Sequence, residues 1–174
     1  MKQTLLIITA LMLVVGCSKE PINYETTLVE RDGVFYTKDT NKPYSGQVFS
    51  LYEDGEKKSE GTIKEGKWDG LWTEWYENGQ KKQEGTYKDG ELDGLVIKWH
   101  ENGQKESERT YKDGKPTGKW TVWYENGEKR YEGTFKNGEK DGLSTNWYEN
   151  GQKRAEGTYK DGKQDAIWTW WYEN

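Results

Sequence analysis

The middle of the chain reads Trp75-Tyr76-Glu77-Asn78-Gly79-Gln80-Lys81-Lys82-Gln83-Glu84-Gly85-Thr86-Tyr87-Lys88-Asp89-Gly90, and this stretch decides the fold because it recurs with few changes. Its leading tryptophan returns every 24 residues, as Trp75, Trp99, Trp123, Trp147 and Trp171. A fixed period of about 20–50 residues is typical of a repeat architecture. The sequence therefore predicts one repeat domain, which we assign to residues 29–174.

Glycine follows a turn-forming residue twice in every repeat. The first series is Asn78-Gly79, Asn102-Gly103, Asn126-Gly127 and Asn150-Gly151, and the second is Asp89-Gly90, Asp113-Gly114, Asn137-Gly138 and Asp161-Gly162. Such pairs between strand-like segments are strong hairpin signals. Frequent Gly and abundant Trp, Tyr and Thr disfavour helix. Each repeat is therefore predicted to contain two strands and two tight turns, so the fold class is all-β.

Side-chain alternation predicts which residues share a face of the sheet. The odd positions Leu71 and Trp75, with their equivalents, are mostly apolar, whereas Lys82 and Glu84 on the next strand are polar. A three-residue loop, made of a type I turn and a bulge glycine, would place odd residues of both strands on one face. We therefore predict three-residue loops in both turn series, with one face rich in Trp, Leu and Tyr and the other carrying Lys, Glu and Thr.

The N-terminus has the features of an export signal. Residues 1–16 begin with a basic residue and continue with an apolar run that is too short for a stable transmembrane span. Val14-Val15-Gly16-Cys17 resembles the bacterial lipobox, which implies cleavage before Cys17, attachment of lipid to its sulfur and acylation of the new amino terminus. An ordinary cleaved signal followed by an unrelated cysteine is the alternative.

Residues 17–28 are polar and are interpreted as the lipidated cysteine and a tether. The lipid would anchor the chain to a membrane, since each buried CH₂ group is worth about 0.8 kcal/mol. The expected location is the bacterial cell envelope, at the outer membrane, on its periplasmic side or at the cell surface.

A longer motif connects the repeat with a known family. Tyr131-Glu132-Gly133-Thr134-Phe135-Lys136-Asn137-Gly138-Glu139-Lys140-Asp141-Gly142 resembles the MORN repeat in its bacterial variant form, and the similarity covers about residues 29–174. The resemblance implies an elongated, single-layer antiparallel meander built from 24-residue hairpins. It also implies binding or scaffolding roles, and some bacterial members are labelled antitoxin-like. Arg109, Thr117 and Ala166 depart from the family pattern, because Gly or Asp is expected there.

Groups suited to catalysis are scarce. His100 is the only histidine and occupies a position that is Tyr in other repeats, so we interpret it as a substituted aromatic residue. The recurring carboxylates Asp69, Asp93, Asp141 and Asp165 are interpreted as caps of turn backbone. We therefore predict no enzymatic activity, no metal and no cofactor. The net charge of −5 disfavours nucleic acid as a partner.

The aromatic side chains are the candidate binding surface. We predict that it comprises Trp75, Trp99, Trp123, Trp147, Trp168, Trp170, Trp171 and Tyr172. Three functions are compatible with it. The chain could be a lipid-anchored scaffold for an unknown protein partner, an envelope binder of glycan or lipid headgroups, or an antitoxin or immunity-like protein.

The last strand, about residues 163–172, is expected to lie at an edge of the sheet. It carries neither charge nor Pro between Ala166 and Tyr172, although edge strands are usually protected by such residues. We therefore predict self-association or partner capture through this edge. In the alternative interpretation, its aromatic residues cap the end of the sheet.

Overall fold

The computed structural model describes residues 19–174, so the predicted signal peptide, Cys17 and the first tether residue lie outside the described residues. The described chain is almost entirely β-sheet, with one short helix, α1 (Tyr24–Thr27). Its main sheet has 14 strands, and the long strands of the repeats are neighbours in the sheet in the order in which they occur in the chain. The predicted all-β, elongated single-layer meander of 24-residue hairpins is confirmed.

The strands follow one another in chain order. They are β1 (Ile22–Asn23), β2 (Leu28–Arg31), β3 (Val34–Thr37), β4 (Gly46–Leu51), β5 (Lys57–Lys64), β6 (Lys67–Trp68), β7 (Gly70–Trp75), β8 (Lys81–Lys88), β9 (Glu91–Trp99), β10 (Lys105–Lys112), β11 (Lys115–Trp123), β12 (Lys129–Lys136), β13 (Glu139–Trp147), β14 (Lys153–Lys160), β15 (Lys163–Gln164) and β16 (Thr169–Trp170). Strands β2 and β3 form a separate hairpin.

The first turn series has the predicted three-residue loop. The Tyr76 amide donates to the Gln80 carbonyl at 2.9 Å, and the Gly79 amide donates to the Tyr76 carbonyl at 2.9 Å. Gly79 has a φ of 79°, the left-handed conformation that the bulge position requires. The same two bonds recur in the turns at Gly55, Gly103, Gly127 and Gly151.

The second turn series differs from the prediction, because its loops have two residues. Lys88 pairs directly with Glu91, which leaves Asp89 and Gly90 as the loop. Both have positive φ, 52° and 90°, as a type I′ turn requires. Asp tolerates this conformation better than most side chains, and the twist of the type I′ turn suits the flanking strands. The three-residue loop predicted for this series is wrong.

The predicted distribution of residues between the two faces is also wrong. Thr73 lies opposite Glu84 and Leu71 lies opposite Thr86, so odd positions of β7 share a face with even positions of β8. The cause is a register shift between Glu74 and Trp75, which leaves one extra residue on β8 beside the turn. Such a bulge reverses the alternation that the loop length alone would set.

Each face can therefore be defined by its residues. We call the face that carries Leu71, Thr73, Trp75 and their equivalents the Leu-Trp face. The opposite face, which carries Trp72, Gly85 and their equivalents, is the packed face. The Glu and Thr residues expected to oppose the Trp residues instead lie on the Leu-Trp face with them.

The buried core lies at the N-terminal end of the sheet, on the packed face. The N-terminal clasp, residues 22–37, comprises β1, α1 and the β2–β3 hairpin. Leu28 and Phe35 of the clasp are buried in one cluster with Val48 and Ile63 of the sheet. Residues 22–28, which the sequence analysis placed in the tether, thus pack on the fold, and β1 pairs in parallel with β4.

Beyond the clasp, glycine lets aromatic rings lie close to the sheet. A Cβ atom on Gly157 would stand 2.5 Å from the Trp168 ring, and one on Gly61 would stand 2.6 Å from the Trp72 ring. Where Arg109 replaces this glycine, its guanidinium lies 5.0 Å from the Trp120 ring centre. Beyond the clasp, the sheet is therefore a single layer, and its packed face is covered by its own aromatic side chains.

Candidate binding surface

The predicted row of tryptophans lies on the Leu-Trp face. Its first four members each end the first strand of a hairpin and Trp171 directly follows β16, so the row runs across the sheet beside the first turn series. Strands lie about 4.8 Å apart, and two strands per repeat therefore separate successive rings by roughly 10 Å. Trp75, Trp99, Trp123 and Trp147 are half-buried, and Trp171 is 38% exposed.

Lysine side chains cover all of these rings except that of Trp123. The Lys57 ammonium lies 5.3 Å from the ring centre of Trp75, which has Lys81 as its partner on the next strand. The arrangement recurs with Lys81 over Trp99, Lys129 over Trp147 and Lys153 over Trp171, at 5.7–5.8 Å. A cation over an indole face is an attractive contact. These rings therefore offer their edges more than their faces to a ligand.

Each of these lysines is also paired with a glutamate. The Lys57 and Lys129 ammonium groups bond to Glu60 and Glu132 at 2.7 Å, and Lys81 and Lys153 bond to Glu84 and Glu156 at 2.5 Å. The hydrogen bond from Lys129, reinforced by Lys119, lowers the pKa of the Glu132 carboxyl. Exposed pairs of this kind contribute little to stability. They leave the row close to neutral, which weakens it as a site for anions.

The residue that follows each of the first four tryptophans of the row forms a hydrogen bond to the backbone of the tryptophan in the next repeat. The Tyr76 hydroxyl donates to the Trp99 carbonyl at 2.7 Å, and Tyr52, Tyr124 and Tyr148 make the equivalent bond to the next repeat. His100 occupies this position in its repeat, with Nε2 at 3.2 Å from the Trp123 carbonyl. This geometry agrees with the interpretation of His100 as a substituted aromatic residue.

Asparagine side chains connect successive turns of the first series by hydrogen bonds. Asn102 Oδ1 accepts from the Gln104 amide at 2.9 Å, and Asn102 Nδ2 donates to the Glu125 carbonyl in the next turn at 2.8 Å. Asn78 and Asn126 make the same two bonds. The turns are therefore fixed to one another, and the Trp row has a fixed pitch.

A second row on the Leu-Trp face was not part of the predicted site. Leu71, Leu95 and Leu143 are 49–56% exposed, and Ile167 is 91% exposed. They lie four residues before the Trp row along the chain, which in the strands of Leu71, Leu95 and Leu143 is about 13 Å at 3.3 Å per residue. Between the two rows, Leu95 and Trp123 border a shallow depression of about 330 Å³. The 24-residue spacing could have identified this leucine row, but its exposure depends on the bulge.

The remaining predicted site residues do not join the Trp row. Trp168 and Trp170 lie on the packed face, with ring centres 5.9 Å apart, and Trp168 is half-buried. Trp170 and Tyr172 are 64% and 92% exposed. The predicted last strand is split into β15 and β16, both paired with β14. The structure thus divides the eight predicted residues between two faces.

Two of the recurring aspartates form ion pairs with a lysine on the next strand. Lys112 Nζ lies 2.7 Å from Asp93 Oδ2, and Lys160 Nζ lies 3.3 Å from Asp141 Oδ2. The hydrogen bond from Lys112 lowers the pKa of the Asp93 carboxyl, whose stabilising contribution is therefore lost as pH falls through that lowered pKa. The predicted capping of turn backbone is at most secondary, because the Asp113 amide is 3.5 Å from Asp93 Oδ2.

Among residues 19–174, no three His, Cys, Asp or Glu side chains are arranged to hold a metal ion. No helix in this part of the chain is long and apolar enough to cross a membrane.

Comparison with known families assigns the repeat. The model described as MORN repeat variant matches residues 68–89, 92–113, 116–137 and 140–161, together 88 of the 174 residues. This match is narrower than the similarity expected over residues 29–174, although β4 and β5 form an equivalent hairpin. No curated protein matches the chain. Since the model covers half of the sequence, the protein belongs to the MORN repeat variant family.

Proposed function

We propose that this protein is a lipid-anchored, non-enzymatic scaffold of the bacterial cell envelope, which binds a protein partner through its Leu-Trp face. MORN repeats make a repeat-based binding or scaffold module the broad function. The observation that carries the choice of face is the leucine row, in which large apolar side chains stay half-exposed at a regular pitch. Exposed apolar surface that is contiguous is typical of interaction sites.

The chemistry of this face suits a protein better than an anionic ligand. The leucine row offers apolar contacts, and the Trp row offers indole edges between lysines that are already paired with glutamates. A partner segment lying across the strands would meet one side chain of the leucine row roughly every 10 Å, and all but Lys119 are apolar. Its side chains could fill the depression between the two rows, which Leu95 and Trp123 border together with charged and polar side chains.

The alternatives have weaker support. Stacking of sugar rings on the Trp row would require displacing the lysines that lie over the indoles, and binding of lipid headgroups would require breaking lysine–glutamate pairs. An antitoxin or immunity-like role rests only on the family resemblance. Self-association through β16 stays a prediction.

The anchor rests on the sequence and on where the fold begins. Residues 14–17 resemble a lipobox, and β1 begins at Ile22. Only residues 18–21 would then separate the lipidated Cys17 from the sheet, a reach of about 14 Å when fully extended. The N-terminal clasp would therefore stay close to the membrane, with later repeats projecting from it.

Cys17→Ser should abolish the anchor. We expect the wild-type protein to fractionate with membranes and to carry the added mass of acyl chains. The variant should lose both properties while keeping its β-sheet circular dichroism. A wild-type protein with an unmodified mature N-terminus would contradict the lipoprotein proposal and leave the scaffold proposal standing.

Partner binding is tested by chemical cross-linking on intact cells and purification of the tagged protein. Leu95→Asp combined with Leu143→Asp should reduce the captured partner at least about ten-fold, because charges would replace apolar contacts. The matched control, Gln80→Glu with Gln104→Glu, adds the same charge at exposed turns and should keep capture. Equal capture by both variants would refute the assignment of this face.

A further inference from the structure

We propose that Asn137-Gly138 is a site of spontaneous deamidation, and that the fold directs this reaction to Asn137 and protects the equivalent Asn-Gly pairs in the first turn series. The sequence has five Asn-Gly pairs, with Asn at 78, 102, 126, 137 and 150. They share the same two residues, so differences in reactivity must come from the structure around them.

The reaction needs a free side chain. The backbone nitrogen of Gly138 attacks Cγ of Asn137, the new N–C bond closes a succinimide ring, and the side-chain nitrogen leaves as ammonia. Water then opens the ring at either carbonyl, which gives aspartate or isoaspartate. The only reactants are the chain and water, and the carboxamide must turn toward the following nitrogen.

Three asparagines of the first turn series cannot turn freely. The oxygen of each carboxamide accepts from the amide two residues ahead at 2.9 Å, and its nitrogen donates to a carbonyl in the next turn at 2.8–3.1 Å. The residues held in this way are Asn78, Asn102 and Asn126. Attack on any of them requires both hydrogen bonds to break.

Asn137 is the exception because it belongs to the other turn series. It occupies the first position of a type I′ loop, with a φ of 52°, where three of the other hairpins have aspartate. Its side chain is exposed and makes no hydrogen bond within residues 19–174. The loop is held by its backbone, and the carboxamide is left free.

The attacking nitrogen does not explain the difference. The Gly138 amide donates to the Pro116 carbonyl at 2.9 Å, and the amides of Gly79, Gly103 and Gly127 donate to carbonyls at 2.9–3.0 Å. The nucleophile is therefore hydrogen-bonded at all four sites, and the restraint on the carboxamide is what separates them. Asn150 is intermediate, because its Oδ1 accepts from the Gln152 amide at 3.0 Å without a second bond in the described chain.

The two products should affect the repeat differently. Aspartate at position 137 reproduces the residue that Asp89, Asp113 and Asp161 already place in this loop with similar φ. Isoaspartate adds a backbone atom to a two-residue loop, which the pairing of Lys136 with Glu139 does not accommodate. The aspartate product should therefore keep the fold, and the isoaspartate product should loosen the β12–β13 hairpin.

The test is ageing of the purified protein at mildly alkaline pH, followed by peptide mapping with mass spectrometry. In the folded protein, Asn137 should convert about ten-fold faster than Asn78, Asn102 or Asn126, since each of those must break two hydrogen bonds. Asn150 should convert at an intermediate rate. All five sites are compared within one molecule, so protein concentration and buffer cancel.

A denatured sample provides the control. In guanidinium all five pairs lose their turns and should convert at similar rates, because each asparagine precedes glycine. An Asn137→Asp variant should leave the other four rates unchanged in the folded protein. The proposal is overturned if Asn137 reacts no faster than Asn102 in the folded state, or if its advantage persists unchanged after denaturation.

Discussion

At the residue scale, the asparagine of the first turn series shows how one side chain connects successive repeats. Its oxygen closes its own turn, and its nitrogen reaches the carbonyl of the next turn, so both ends of the carboxamide are used. Aspartate can do only the first of these, because an ionised carboxylate has no donor. Asp54 shows this limit in the first hairpin, where it accepts from the Glu56 amide at 3.0 Å.

Asn102→Asp should therefore destabilise the protein by removing one inter-repeat hydrogen bond. The change keeps the acceptor within the turn and places a carboxylate near the Glu125 carbonyl. We expect a loss of about 0.5–1.5 kcal/mol in unfolding free energy, measured by urea denaturation. Asn150→Asp is the matched control and should cost much less, since Asn150 donates to no carbonyl within residues 19–174. Equal losses at both positions would refute this role of the donor.

At the element scale, the turns and the faces differ in how far sequence could predict them. Asn78-Gly79 carries a local signal, because glycine at the bulge position sets the three-residue loop. Asp89-Gly90 fits either a two-residue or a three-residue loop by composition, and pairing with the neighbouring strands selects the shorter one. The bulge beside Lys81 has no glycine to mark it, so alternation counted from the loop placed Glu84 on the wrong face.

The candidate site was predictable only in part for the same reason. The period predicted that Trp75 and its equivalents form one row, which they do. Lys57 covers Trp75 from another strand, and no spacing within one strand could indicate that contact. At the last repeat, Ala166 occupies a position that is glycine in the preceding hairpins, and its φ of 155° accompanies the split into β15 and β16. That split separates Trp168 and Trp170 from the rest of the predicted surface.

At the scale of the whole molecule, the meander has few contacts beyond adjacent strands. Each strand from β8 to β13 pairs only with its two neighbours, and hydrogen bonds between equivalent turns reach one repeat further. Within residues 19–174, only the clasp adds a second layer, and it covers the first repeats alone. Stability should therefore approximate a sum of repeat and neighbour contributions.

Removing one whole repeat should consequently be tolerated. Deleting residues 103–126 joins Asn102 to Gly127 and restores the Asn-Gly turn. Val96 then lies beside Gly133, as it lies beside Gly85 now, and His100 meets the Trp147 carbonyl in place of that of Trp123. We expect a folded protein that has lost about 1–4 kcal/mol of unfolding free energy, at roughly 0.05–0.15 kcal/mol per residue.

Deleting residues 103–114 is the control, because it removes β10 alone and puts β9 beside β11, two strands of the same type. The first turn series would lose one member and Ile97 would keep Glu84 opposite it but lose Glu108, so this shorter deletion should cost more stability than the longer one. Thermal and urea unfolding of both variants measure the difference. If the variant with the longer deletion were the less stable of the two, stability would not be a sum of contributions from repeats and their neighbours.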